Sequence, residues 1–244
     1  MMLKVEKPGS PMGNKTLRQA LAFGINKRAI GEFLFQGNCK ATETYYQPGH
    51  WVYDVDSADR YRFDPSRAKA LVKDSGLANP TIRLMFDQGS TTSRPIAEAI
   101  ADQVEREIGI RVQLDPRPNG ALLPAWQANE VDAYVGQLSG TANIDPENFL
   151  NSYFVPNPST GLQLGADPAA LGRLAVSAAN PGLTLAQRAT AYKPIFDGIQ
   201  ESVPFVAICN QVQSYPKPAG SKLKGKVVAW WSGLPDYRNL YVTK

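Results

Sequence analysis

The stretch Thr81-Ile-Arg-Leu-Met-Phe-Asp-Gln-Gly-Ser-Thr-Thr-Ser-Arg-Pro-Ile-Ala-Glu-Ala-Ile-Ala-Asp-Gln-Val-Glu-Arg-Glu-Ile-Gly-Ile-Arg-Val-Gln-Leu114 decides the fold. Its first six residues alternate, with Ile82, Leu84 and Phe86 on one side, the period-two signature of a strand. Ile96, Ile100, Val104 and Ile108 then recur every fourth residue, a helical stripe that opens at Pro95 and stops at Gly109. Ile110, Val112 and Leu114 alternate again. Strand, helix and strand in this order make a βαβ unit, with parallel strands and a right-handed crossover. Open α/β sheets of this kind take ligands at the carboxyl ends of their strands.

On the carboxyl side, the pattern predicts a helix over Leu122–Ala128 and a strand over Ala133–Leu138. Helices follow at Pro146–Tyr153, Pro168–Ala179 and Leu185–Ser202, the last capped by Thr184. Pro194 should kink that helix or remove a turn, because an interior proline costs ~3 kcal/mol. Pro204–Cys209 reads as a strand. After Asn210 the composition shifts toward Pro, Gly and Lys. On the amino side, Asn14 caps a helix through Phe23 and Asn26 restarts one, with Ile25 and Ile30 as the hydrophobic staple. Leu17, Leu21, Ile30, Phe33 and Leu34 are the expected core face. Gln36 to Arg60 is aromatic and irregular, a long surface excursion of the sort that often carries function. Asp64-Pro65 opens a further helix and Gly76 closes it.

Composition narrows the class. The chain has 244 residues, 43% hydrophobic and 20% charged, enough for a substantial core and too apolar for disorder. The net charge is +4, but acids and bases alternate almost throughout. Lys217, Lys222, Lys224 and Lys226 form the only basic cluster, in a Pro/Gly-rich tail. Nucleic-acid binding needs a concentrated basic face, so it is not expected. No run approaches the ~20 apolar residues of a membrane span. Cys39 and Cys209 match no metal spacing, and His50 is the single histidine. Two inert thiols are the favoured reading. A bond between them stays open, since an extracytoplasmic location would permit one.

The candidate chemistry has plain structural counterparts. Asp64, Asp145 and Asp167 each precede a proline, and helix capping explains all three at once. His50, beside Trp51 and Tyr53, has no nucleophile near it in sequence and reads as an exposed or loop-packing residue. No nucleotide motif occurs. Gln88–Ser93 leads to Arg94-Pro95, a small polar loop feeding a helix start where an anion could sit. Trp126, Tyr134, Trp230 and Trp231 could wall a pocket, although Trp126 and Tyr134 read first as core. No cofactor, metal or catalytic dyad is implied.

Three stretches, in fixed order, carry a family resemblance: Asn14–Ile30, Arg62–Gly76 and Ile144-Asp-Pro-Glu-Asn-Phe-Leu150. They resemble the C-terminal lobe of the extracytoplasmic solute-binding proteins of ABC importers, in the oligopeptide/dipeptide/nickel-binding family. The likeness runs from about Asn14 to Thr243, yet family members are roughly twice this long. It therefore implies an α/β lobe of the periplasmic-binding-protein type II kind, with βαβ units and a C-terminal tail that crosses the hinge. In that scheme residues 1–13 are a hinge-proximal tail and residues 14–208 the ligand-binding lobe. Residues 209–244 return through the hinge to pack on a lobe that this chain lacks. The resemblance implies a monomeric, non-catalytic, periplasmic protein whose signal peptide lay in the missing part. It would carry a small-molecule or peptide-like ligand to a membrane permease. A ligand-sensing domain of a regulatory protein, built on the same fold, is the alternative.

The same resemblance places the ligand crevice along Gln137–Asp145. Peptide-binding relatives carry an acid three residues before the Asp-Pro aspartate, where it pairs with the peptide's α-ammonium. Here that position is Ala142, and an aromatic common a few residues earlier is replaced by Ser139. Unpairing a buried charge typically costs about 3–5 kcal/mol, so a free peptide amine needs another acid. Ser139, Thr141, Ala142 and Asn143 are the candidate wall, and a hydroxyl-rich or amide solute suits them. Ile208 and Asn210 are the hinge-side candidates.

Overall fold

The computed structural model describes residues 1–46, 48–137, 145–154, 177–211, 222–225, 228–229, 235–236 and 240–242. In chain order its first elements are β1 (Met2–Leu3), α1 (Lys15–Gly24), α2 (Lys27–Ala29), β2 (Cys39–Ala41), α3 (Pro65–Asp74) and β3 (Thr81–Asp87). Then come α4 (Ser93–Ile108), β4 (Arg111–Arg117), α5 (Asn119–Gln127), β5 (Ala133–Val135), α6 (Pro146–Tyr153), α7 (Leu185–Ser202) and β6 (Cys209–Gln211). In the tail, β7 (Leu223–Lys224) pairs with β10 (Tyr241–Val242), and β8 (Val228–Ala229) with β9 (Pro235–Asp236).

The βαβ unit forms as the pattern requires. β3 and β4 pair in parallel from Thr81 opposite Arg111 to Asp87 opposite Arg117. α4 buries Ile96, Ile100, Val104 and Ile108, and ends at Gly109 with a φ of 72°. That left-handed angle is why glycine stands there. β5 joins the other side of β3 in parallel, giving the order β1-β5-β3-β4. β4 is therefore an edge strand. This explains why Leu114, expected inside by alternation, is 36% exposed.

Alternation along β3 feeds two cores on opposite faces of the sheet. Ile82, Leu84 and Phe86 pack with α1 and α4, together with Ala133 and Val135. Met85 faces the other way, against Trp126 of α5, Phe149 and Leu150 of α6, and Tyr192, Ile195 and Ile199 of α7. The excursion is less of a surface feature than the sequence suggests, because its aromatic residues cover this second core. Tyr45 stacks on Phe149 at 3.8 Å between centroids, and Trp51 meets Tyr192 edge-on. His50 stacks on Tyr46 at 4.3 Å, the loop-packing one of its two expected roles.

The sequence makes residues 1–13 a tail ahead of the lobe. In the structure β1 lies antiparallel to β5 as the outer strand of the sheet, with Leu3 and Met12 fully buried. Beyond β1 runs the segment expected to be a strand over Pro204–Cys209. It makes only a bridge at Phe205 to Met2, and the regular strand begins at Cys209. Proline has no N–H to give a ladder, which limits pairing at its start. α7 spans Pro194 without interruption.

Two further expectations are corrected. Phe33 is 83% exposed and Leu34 39%, so neither belongs to the core. After Ile30 the helix widens into a π-type turn over Ile30–Leu34, which changes the phase of the apolar stripe. The face turned inward is that of Gly31, where any Cβ would run into the Cys39 carbonyl oxygen. Cys39 and Cys209, favoured as inert thiols, form a disulfide with a Cα–Cα distance of 5.3 Å. Nothing local foretells it. The bond follows from the pairing of β2 with β6, which brings together residues 170 apart in sequence.

Candidate functional site

Three parallel strands end on one side of the sheet, and there the described polar residues gather. β3 ends at Asp87, the last residue of the central strand. Register sets Asp87 opposite Arg117 of β4; on the β5 side Phe86 lies opposite Val135, so Asp87 falls beside Gly136. Asp87 Oδ1 accepts from the Gly89 amide at 2.9 Å, and Oδ2 from Asn119 Nδ2 at 3.2 Å. No lysine or arginine among the described residues pairs with it.

Tyr134 lies on the same face of the sheet, two residues before Gly136. Its ring folds over Gly136 so closely that a Cβ there would overlap it. Burial raises the Tyr134 phenol above its ordinary range, and the charge of Asp87 adds to the shift. Next along the chain, Gln137 donates from Nε2 to Gln211 Oε1 of β6 at 3.0 Å. The carboxyl edge of the sheet is thus tied directly to the ribbon of β2 and β6.

Two arginines on the elements flanking this edge are already committed. Arg94 lies over the Phe86 ring at 5.5 Å and pairs with Glu98 at 3.7 Å. Arg117 turns back along its strand to Asp115 at 3.0 Å and reaches Glu130 at 2.6 Å. These two acids, Asp115 first, hold its guanidinium above the ordinary range. The loop before α4 is self-satisfied as well. Ser90 Oγ accepts from the amides of Thr92 at 3.3 Å and Ser93 at 3.0 Å, donors an anion would otherwise use.

The acids read as caps behave as caps. Asp64 accepts from the Arg67 amide at 2.9 Å and Asp145 from the Glu147 amide at 3.0 Å. Both Asp145 oxygens also accept from one nitrogen, Nη2 of Arg188 in α7, at 2.9 and 2.7 Å. That ion pair fixes the start of α6 just after the proposed crevice segment. Asp167, Trp230, Trp231 and the helix predicted over Pro168–Ala179, apart from its last residues, lie outside the described residues.

Of the candidate wall, Ser139, Thr141, Ala142 and Asn143 also lie outside the described residues, between Gln137 and Asp145. Ile208 is 8% exposed and belongs to the first core, with its carbonyl accepting from the Thr42 amide at 3.3 Å. Asn210 sits in β6 opposite Lys40. Sequence reasoning passed over Asp87 and Gly136 as site residues and included Gln137 only as the start of the crevice segment. The available signal was positional: Asp87 is the residue on which the predicted strand runs out. Trp126 is buried as expected, with Lys4 Nζ 4.9 Å above its ring.

A separate cavity of about 50 Å³ lies under the excursion, lined among others by Glu43, Tyr45, Tyr46, Ser57, Gln200 and Phe205. It shares no residue with the carboxyl edge. Small-molecule sites usually span some 300–1,000 Å³, so it is too small for a solute of that size. Among the described residues no His, Cys, Asp and Glu side chains cluster as a metal site, and no helix is long and apolar enough to cross a membrane.

A mixed sheet with parallel inner strands, helices on both faces and a polar carboxyl edge tied to a returning ribbon defines one lobe of a type II periplasmic-binding-protein fold. The chain belongs to the bacterial extracellular solute-binding proteins, family 5, whose middle-region model matches residues 1–161. It is 27% identical over 210 residues to di/tripeptide-binding protein 3 of Pseudomonas aeruginosa, an alignment covering 84% of this chain and 39% of that protein. It also superposes on DppA from Helicobacter pylori, solved with the peptide STSA, with a TM-score of 0.74 and 21% identity. That match covers 100% of this chain and 46% of the other. NikA from Brucella suis, solved with Fe(III)-EDTA, gives a TM-score of 0.74 at 20% identity over 86% of this chain and 44% of that one. The chain thus spans less than half the length of each of these proteins.

Proposed function

We propose that this chain forms one wall of a two-lobed, non-catalytic binding protein that captures a small solute outside the cytoplasm and delivers it to the permease of an ABC importer. The observation that carries this reading is the bond from Gln137 to Gln211. It joins the carboxyl edge, where α/β sheets bind ligands, to the ribbon that would serve as the hinge. Contacts from both lobes would favour the closed form, and only that differential affinity can shift the population toward closure. Ser139, Thr141, Ala142 and Asn143 line the ligand side in this reading, and Asn210 faces it from the hinge. Ile208 supports the hinge from within the core. Peptide-binding relatives and a metal-chelate complex share the fold, which suits a peptide-like or other small solute. The disulfide supports an oxidising compartment. The protein acts as a monomer and without nucleic acid. The regulatory alternative finds no support among these relatives.

The test is to purify the full-length protein without denaturation and identify any bound small molecule by native mass spectrometry. Stoichiometric recovery of one solute class supports the reading; turnover of that solute by the protein sinks it. For the wall itself, Ala142→Asp should raise the affinity for short peptides with a free amine by about tenfold or more, since a charged hydrogen-bonded partner contributes about 1.5–3 kcal/mol. Calorimetric titrations showing no gain would remove Ala142 from the site.

A further inference from the structure

The carboxyl edge contains one acid whose charge nothing described neutralises. Asp87 closes the central strand, where ligands approach α/β sheets most directly. Its two oxygens each accept one neutral donor, from Gly89 and Asn119, which orients the carboxylate and leaves each oxygen a further lone pair. Arg117, opposite Asp87 in the sheet register, is held by Asp115 and Glu130, and Arg94 at the start of α4 is held by Glu98. Beside Asp87 the Tyr134 ring lies over Gly136, in space that any other residue at 136 would fill. A carboxylate next to an aromatic ring is a chemical match for an organic cation, since one supplies charge and the other a face for ammonium or guanidinium.

Resting on the solute-binding reading above, we propose that Asp87, with the Tyr134 ring seated over Gly136, is a cation subsite that selects solutes bearing a side-chain ammonium or guanidinium group. It is distinct from the α-ammonium position at Ala142 and lies at a different strand end. The cationic group would then be held at the central strand and not on the segment leading to α6.

Isothermal titration of the full-length protein with trilysine, trialanine and triglutamate tests this. Trilysine should bind most tightly. Asp87→Asn should cut the trilysine-to-trialanine affinity ratio by at least about tenfold, a loss typical of a removed charge partner. Tyr134→Leu should reduce the same ratio by a smaller factor. Gly136→Ala, which displaces the ring, should act in the same direction as Tyr134→Leu. A trilysine preference that survives Asp87→Asn overturns the proposal, as does a preference for triglutamate. Failure of all three probes to bind also overturns the subsite. The importer reading is judged separately, by the solute that co-purifies.

Discussion

Among single residues, Lys27 and Glu43 show how a charge is kept inside this lobe. Lys27 is 3% exposed, and its ammonium donates to Glu43 and to the carbonyls of Ala22 and Tyr61, each at 3.0 Å. Burial lowers Lys27 and pushes the Glu43 carboxyl up to about 7, against the opposing pull of Lys27. A carboxyl raised on folding contributes stability that is fully present below its unfolded value near 4.5 and is lost as pH rises through about 7. Stability should therefore fall between about pH 5 and 7 by an amount on the order of 3 kcal/mol from this group, seen as a lower thermal midpoint. Glu43→Gln should flatten that slope in calorimetry. Lys27 has the opposite sign, its contribution growing as pH climbs toward its ordinary 10.5, so a slope unchanged by Glu43→Gln would mean that Glu43 ionises freely. None of this was legible in the sequence. Lys27 sits in the first turn of a capped helix, where a lysine reads as exposed, and only tertiary folding brings Glu43 over it.

The elements divide clearly into those announced by local signals and those that depend on distant partners. α1, α3, α6 and α7 begin where Asn14, Asp64, Asp145 and Thr184 place a side-chain acceptor, and each of those caps is formed. β3, α4 and β4 follow from period alone. What failed was set by packing partners far along the chain. Phe33 points outward because β2 crosses at Gly31, and the disulfide exists because β2 meets β6. The candidate site divides in the same way. The carboxyl edge could be located from the strand pattern, whereas the role of Asp87 needed the register that sets it beside Gly136. The disulfide has a measurable consequence. Closing a loop of 170 residues removes up to about 5 kcal/mol of chain entropy from the unfolded state, the upper end of what such bonds contribute. Cys39→Ser with Cys209→Ser should lower stability by several kcal/mol, read as a lower urea midpoint with a steeper slope, because the unfolded chain without the cross-link exposes more surface. An unshifted midpoint would mean that the ribbon of β2 and β6 holds equally well without the bond.

For the molecule as a whole, the decisive feature is that the described residues cover both faces of the sheet and leave its carboxyl edge open. α1 and α4 bury one face and α5, α6 and α7 the other, so the lobe has the cores to fold by itself. Nothing described closes over Asp87, Asn119 and Gln137, and an open polar edge binds weakly until a second surface excludes water from the other side. This separates folding from binding: the chain can be stable yet hold little solute. For a solute bound at micromolar strength the total is about −8 kcal/mol. If half the contacts come from a second wall, about 4 kcal/mol is lost with it, roughly a thousandfold in affinity. The 244-residue chain should therefore melt cooperatively, yet bind the co-purified solute about a thousandfold more weakly than the full-length protein, with both measured by calorimetry. Matching affinities would mean that this lobe encloses its ligand unaided, and the shared-wall mechanism would have to be abandoned.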